Sequence, residues 1–135
     1  MRLIRIYQCL CDRTRLRILH LLLGGPLCVC HLQEVLREPQ VKVSKHLRYL
    51  KTHGMVEFSK AGTWRIYHLP KRRTAELELN LQCLQDCAVD DAQFRGDAAK
   101  LKKLRQCIAN RKPLCPPRRA AKAGRSPRRA MACAG

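Results

Sequence analysis

Apolar residues recur along the first half of the chain with a helical period. Leu3, Ile4, Ile6 and Leu10 predict a short first helix. Asp12 stands where a carboxylate can accept from the free amides of a first turn. Leu16, Leu19 and Leu23 follow at helical spacing, with Ile18 and Leu22 widening the stripe, until Gly24-Gly25-Pro26 stops the helix. Cys28 to Leu36 predicts a third helix, with Val29, Leu32, Val35 and Leu36 on its apolar side and Pro39 at its end. Val43, Leu47 and Leu50 define one face of a fourth, spanning Val41 to His53 and closed by Gly54. Lys42, Lys45, Arg48 and Tyr49 fall away from that face.

Past Met55 the period changes. Val56 and Phe58, then Trp64, Ile66, Tyr67 and Leu69, favour two strands around a turn at Lys60-Ala61-Gly62-Thr63, ended by Pro70. Leu77, Leu81, Leu84 and Ala88 then mark a long helix with a narrow seam, as in helices that pair between subunits. The alternative is a helix packed within one subunit. Gly96 is expected to break this helix, and Asp97 to cap a last one carrying Leu101, Leu104 and Ile108. Two helices joined by a short turn, the second basic on its outside and followed by a hairpin, predict a mainly α fold with a β-hairpin wing, a winged helix-turn-helix. Residues 1–110 form this domain. Residues 111–135 have no usable apolar period and read as a basic disordered tail.

Charge points to the partner. The formal net charge is +18 on 135 residues. Eight of the 28 Lys and Arg, and none of the ten Asp and Glu, lie in 111–135, which leaves 20 cations against ten anions, or +10, on residues 1–110. Such an excess attracts polyanions, nucleic acid first and an anionic membrane surface second. The longest apolar run, Leu21-Leu22-Leu23, is far too short to span a bilayer. No Ser-His-Asp order, phosphate loop or paired-carboxylate motif stands out, so an enzyme is not expected. Nine cysteines, an odd count with no leader-like segment before them, do not form a secreted disulfide framework. The expectation is a cytoplasmic protein with reduced thiols.

Some of those thiols have the spacing of ligands. Cys28 and Cys30 stand at an expected helix start, which favours thiolates, and thiolates suit As(III), Sb(III), Cu(I), Zn(II) or Cd(II). Two small buried hydrophobes is the bland alternative. In a regular helix residues two apart point about 200° apart, so joint chelation is expected to unwind the turn. Cys83 and Cys87, at i and i+4, are a rival pair. Asp86, Asp90 and Asp91 beside them read as a solvated acidic face. His20, His53 and His68 read as ordinary surface or wing residues.

Three segments together resemble the ArsR/SmtB family of winged-helix, metal-responsive repressors, and its arsenic-sensing branch in particular. They are Leu10-Cys11-Asp12-Arg13-Thr14-Arg15-Leu16-Arg17-Ile18-Leu19, Leu27-Cys28-Val29-Cys30-His31-Leu32, and Gln40-Val41-Lys42-Val43-Ser44-Lys45-His46-Leu47. The resemblance covers roughly residues 3–95 and implies a homodimer through the terminal helices, with Leu77, Leu81, Leu84 and Ala88 in its seam. It implies operator DNA with an inverted repeat, contacted by Gln40, Lys42, Ser44, Lys45, His46, Arg48, Tyr49 and Lys51 of the recognition helix and Arg65 of the wing. It further implies no permanent cofactor and release by As(III) or Sb(III) on Cys28 and Cys30. The third cysteine frequent in the family is Gln33 here. Cys9 and Cys11, from the same subunit or its partner, are then the candidates to complete the shell, or else core residues of the first helix. A zinc site on the dimer helix needs histidines, and residues 74–93 have none. The remaining alternatives are a thiol redox-sensing repressor and a constitutive nucleic-acid binder with structural zinc.

Overall fold

The computed structural model describes residues 1–110, so the basic tail expected at 111–135 lies outside the described residues. Six helices and three strands follow in the order α1 (Arg2–Leu10), α2 (Arg13–Leu23), β1 (Leu27–Cys28), α3 (Val29–Leu36), α4 (Gln40–Thr52), β2 (Glu57–Ala61), β3 (Trp64–His68), α5 (Ala75–Ala88) and α6 (Ala92–Asn110). The fold is mainly helical with one antiparallel sheet of order β1-β3-β2, a winged helix-turn-helix.

Local chemistry sets the boundaries. The Asp12 carboxylate accepts the Arg15 amide at 2.9 Å and starts α2, and the Thr74 hydroxyl accepts the Leu77 amide at 3.3 Å and starts α5. The turn between α3 and α4 passes through Arg37, a left-handed residue with φ 53° and ψ 43°, before Pro39 opens α4. The wing is tighter than the sequence predicts. Ala61 pairs with Trp64, so the loop shrinks to Gly62 and Thr63, with φ +68° at Gly62 supplying the bend.

The core sits where α2, α3, α4 and α5 meet, around Ile18, Leu19, Leu32, Leu47, Leu50 and Leu81. Leu77, Leu81, Leu84 and Ala88 belong to it, all buried in this one chain. Their apolar area is used by the chain's own core, the alternative that the same spacing left open. α5 instead exposes Leu79, its C-cap Val89 is exposed too, and α1 exposes Ile4 and Tyr7.

The last two helices also differ from expectation. Gly96 does not break the helix, and Asp97 does not cap one. The break falls at residues 89–91, where Asp91 accepts the amides of Gln93 and Phe94 and so caps α6. Asp91 also takes the Arg13 guanidinium at 2.7 and 2.8 Å, which fixes it to α2 rather than leaving it on a solvated face. Asp97 is 1 % exposed and receives a bidentate ion pair from Arg17, which is itself 7 % exposed. One Arg17 nitrogen also donates to the Leu36 carbonyl at 3.4 Å. A single guanidinium therefore ties α6 to α2 and to the end of α3.

Candidate functional site

α4 presents its polar side to solvent because Val43, Leu47 and Leu50, all fully buried, fix the opposite face. Lys42, Lys45, Arg48 and Lys51 are exposed, while Gln40 and Ser44 are half-buried beside them. Lys42 is partly neutralised by Glu38 at 3.0 Å. On the wing, Arg65 is exposed, and it flanks the Phe58 ring together with Lys51, at 5.0 and 4.6 Å from the ring centre. Between α4 and the wing lies a cleft of about 410 Å³, lined by Gln40, Ser44, Arg48, Lys51, Trp64 and Arg65 among others. Its cations and amides can meet phosphates and base edges.

Two of the residues expected on this surface turn inward. The His46 ring lies 3.9 Å from the Asp12 carboxylate, the group that caps α2. Burial pulls the His46 pKa down, Asp12 opposes that, and Arg15, Lys42 and Lys45 add to the lowering. Tyr49 stacks on His53 at 4.3 Å, and the Arg15 guanidinium covers its ring at 4.3 Å. Both side chains join α4 to α2, a packing role that helical spacing alone did not separate from base contact.

The thiol pair sits behind the same cleft. Cys28 is not a helical residue. It ends β1 in extended conformation, φ −80° and ψ 163°, and serves as the N-cap position of α3. Cys30 lies in the first helical turn. Because one residue is extended and the other helical, their side chains converge without any unwinding, which replaces the expected opposition of the two sulfurs. Their Sγ atoms are in bonding contact as a disulfide, where reduced thiols were expected, and the Cα atoms are 5.4 Å apart. Trp64 and Ile66 of the wing pack on this pair, and Cys30 lines the cleft.

The third member is His31. Its ring nitrogen and the two sulfurs all lie within 4.8 Å of one another, the one such potential metal-holding group of three or more among the described residues. Sequence reasoning assigned His31 no role. The missed signal was positional: once Cys28 is the N-cap, His31 is the third residue of the helix, and such a side chain reaches back over the N-cap. Burial, and secondarily the charge of Arg105, lowers the His31 pKa, so the imidazole is neutral near pH 7 and can offer a lone pair.

Among the described residues, no other cysteine is brought to this group. Cys9 is fully buried in the main core, where burial raises its thiol pKa, and Cys11 is exposed after α1. Cys83 and Cys87 are exposed on α5. Among the described residues no helix is long and apolar enough to cross a membrane.

Residues 12–57 match the family model described as bacterial regulatory protein, arsR family. An uncharacterised helix-turn-helix transcriptional regulator of Methanocaldococcus jannaschii is 41% identical over 73 residues, 53% of this chain and 82% of that one. The arsenic resistance transcriptional regulator ArsR2 of Pseudomonas putida is 34% identical over 92 residues, 64% of this chain and 80% of that one. Among solved structures, HlyU from Vibrio cholerae superposes with a TM-score of 0.58 at 26% identity, covering 64% of this chain and 90% of that chain.

Proposed function

Because the chain belongs to the arsR family of bacterial transcriptional regulators, we propose that it is a repressor released from its operator when a thiophilic metalloid, As(III) or Sb(III), binds Cys28 and Cys30. The observation that carries this reading is the group of two sulfurs and the His31 ring within 4.8 Å, hydrogen-bonded through β1 to the wing strand. Trivalent arsenic on two thiolates takes a third donor, which is His31 or a retained hydroxide. In this proposal Cys9 and Cys11 of the same chain are not ligands, since one is buried in the core and the other follows α1 outside the group.

Residues Gln40, Ser44, Lys45, Arg48 and Lys51 of α4 contact the major groove and its phosphates in this proposal, with Lys42 and Arg65 on the flanking backbone. The protein acts as a homodimer on an inverted repeat. Its dimer face uses the apolar side chains that α1 and α5 leave exposed, Ile4, Tyr7, Leu79 and Val89. Residues 111–135, with eight cations and no anion, add phosphate affinity that is indifferent to sequence. The relative in Pseudomonas putida, named for arsenic resistance, supports the choice of inducer.

Coupling runs through the sheet. Cys28 pairs with Ile66 and Leu27 with Tyr67, and Trp64 lies on the sulfurs, so a change at the thiols displaces β3 and with it Arg65. A gel-shift titration of the reduced protein with arsenite, on the promoter of its own gene, tests the reading. Release is expected for the wild type and lost in Cys28→Ser. The bonding contact of the two sulfurs favours one second reading, a thiol redox repressor. Peroxide releasing DNA where arsenite does not would select it.

A further inference from the structure

We propose that the groove between α2, α5 and α6 is a second ligand site, which takes a small amphipathic carboxylate, an acid head on a short apolar body. The groove encloses about 540 Å³, within the roughly 300–1,000 Å³ usual for small-molecule sites. Its floor is apolar, made of Leu21 and Leu23 at the end of α2 and Leu101 of α6. Its rim is cationic. Lys102 and Arg105 line it, both are exposed, and among the described residues neither makes an ion pair. None of the described residues lining it is acidic. Arg105 is laid against the Gly24-Gly25 turn, so closely that a side chain at Gly25 would come within 3.3 Å of a guanidinium nitrogen. The ordinary reading of that contact is a cation set against the carbonyl end of α2. Carbonyls meet its charge only, whereas the two parallel N–H bonds that a guanidinium can offer are matched by a carboxylate.

A second observation lies in the same wall. His20 lines the groove, and its Nδ1 is buried with no hydrogen-bond partner. The ring meets Phe94 edge-on, with 5.4 Å between centres, a contact that uses no polar atom. A buried polar atom left unpaired is uncommon in a folded chain, and it marks polar capacity that the fold itself does not use. The amides of Gln85 and Gln106 add donors beside the cations. Charge then selects the occupant. Residues 111–135 follow directly from α6, but they carry eight cations and no anion and are repelled by the rim. A second copy of the chain brings a further net charge of +18. A small carboxylate neutralises the rim, and its apolar body shields Leu21, Leu23 and Leu101 from water. None of Cys28, Cys30 and His31 lines the groove, so this site stands apart from the proposed inducer group.

The experiment is calorimetric titration of the full reduced chain, without DNA, with octanoate, octylammonium and acetate. One octanoate per chain is expected, with octylammonium and acetate each weaker by roughly tenfold or more. Lys102→Gln/Arg105→Gln should weaken octanoate by roughly tenfold or more. Ala98 is exposed and lines the groove, so Ala98→Phe should fill it and abolish binding. Lys60→Gln/Lys103→Gln removes the same charge from exposed positions outside the groove and should change nothing. Because all five positions are exposed, circular dichroism should be the same in every variant. Absence of octanoate binding, octylammonium bound as tightly as octanoate, full affinity in Lys102→Gln/Arg105→Gln, or an equal loss in Lys60→Gln/Lys103→Gln would each overturn the site.

Discussion

Cys28 pairs with Ile66 across the antiparallel β1–β3 ladder, so the thiol group and the wing share one sheet. β3 carries Trp64 against the sulfurs and Arg65 toward solvent, and its hairpin partner β2 carries Phe58 under Lys51 and Arg65. In the proposed switch, a shift at the sulfurs reaches the wing through these backbone hydrogen bonds.

The DNA surface gives the first prediction. Arg48→Ala should weaken operator binding by about 1–3 kcal/mol and relax preference at one base position, if Arg48 reads a base. Lys45→Ala should weaken binding to all sequences and lower the salt slope by about one. His46→Ala should leave operator affinity nearly unchanged, because the ring faces Asp12. Fluorescence anisotropy with operator and random DNA at several salt concentrations checks all three.

The buried ion pair gives the second. Asp97→Ala leaves Arg17 charged and buried, and should cost about 3–5 kcal/mol. Arg17→Met with Asp97→Leu should recover most of that loss, because an apolar pair of similar volume avoids the desolvation of two charges. Urea denaturation of the three variants is the measurement. An unharmed Asp97→Ala protein would mean that α6 is not anchored as described.

Backbone strain gives the third. Arg37 is exposed and holds φ 53°, a region that costs an L-residue but not glycine. Arg37→Gly should therefore raise stability by about 0.5–1 kcal/mol, net of the greater freedom of the unfolded chain. A higher urea midpoint with an unchanged slope is the expected result.

The sequence showed most of the architecture and only part of the site. Strong periodic signals, such as Val43, Leu47 and Leu50, placed α4 and its polar face correctly. The seam Leu77, Leu81, Leu84 and Ala88 has the same spacing whether it meets a second subunit or its own core, so periodicity could not choose. Gly96 reads as a break, but glycine weakens a helix by only about 1 kcal/mol. The Arg17 and Asp97 pair joins residues 80 apart, and offsets that amount from outside the helix. Cys28 was read into a helix because the two-residue strand β1 is defined by its partner β3, which local pattern does not reveal. That single boundary hid both the convergence of Cys28 with Cys30 and the role of His31.

Titration gives the fourth prediction. Burial comes first in lowering the pKa of His20, His31 and His46 from the ordinary 6.5. The folded chain then binds fewer protons than the unfolded one as pH falls below about 6.5. Stability should be complete above that value and decline as pH drops toward the lowered folded values. Urea midpoints between about pH 7.5 and 5 should fall, and His20→Leu should flatten the decline. A midpoint that rises on acidification contradicts the assignment.

The most direct test uses the single tryptophan, Trp64, which lies on the Cys28–Cys30 pair. Reduced wild-type protein on its operator is titrated with arsenite while Trp64 emission and DNA anisotropy are followed together. The account predicts that emission changes as DNA is released, with an apparent coupling of about 100-fold, roughly 3 kcal/mol. Cys28→Ser/Cys30→Ser should keep operator affinity within a few fold and lose both responses, whereas Cys83→Ser/Cys87→Ser should keep both. Normal release of DNA by arsenite from the Cys28→Ser/Cys30→Ser protein would contradict the central claim.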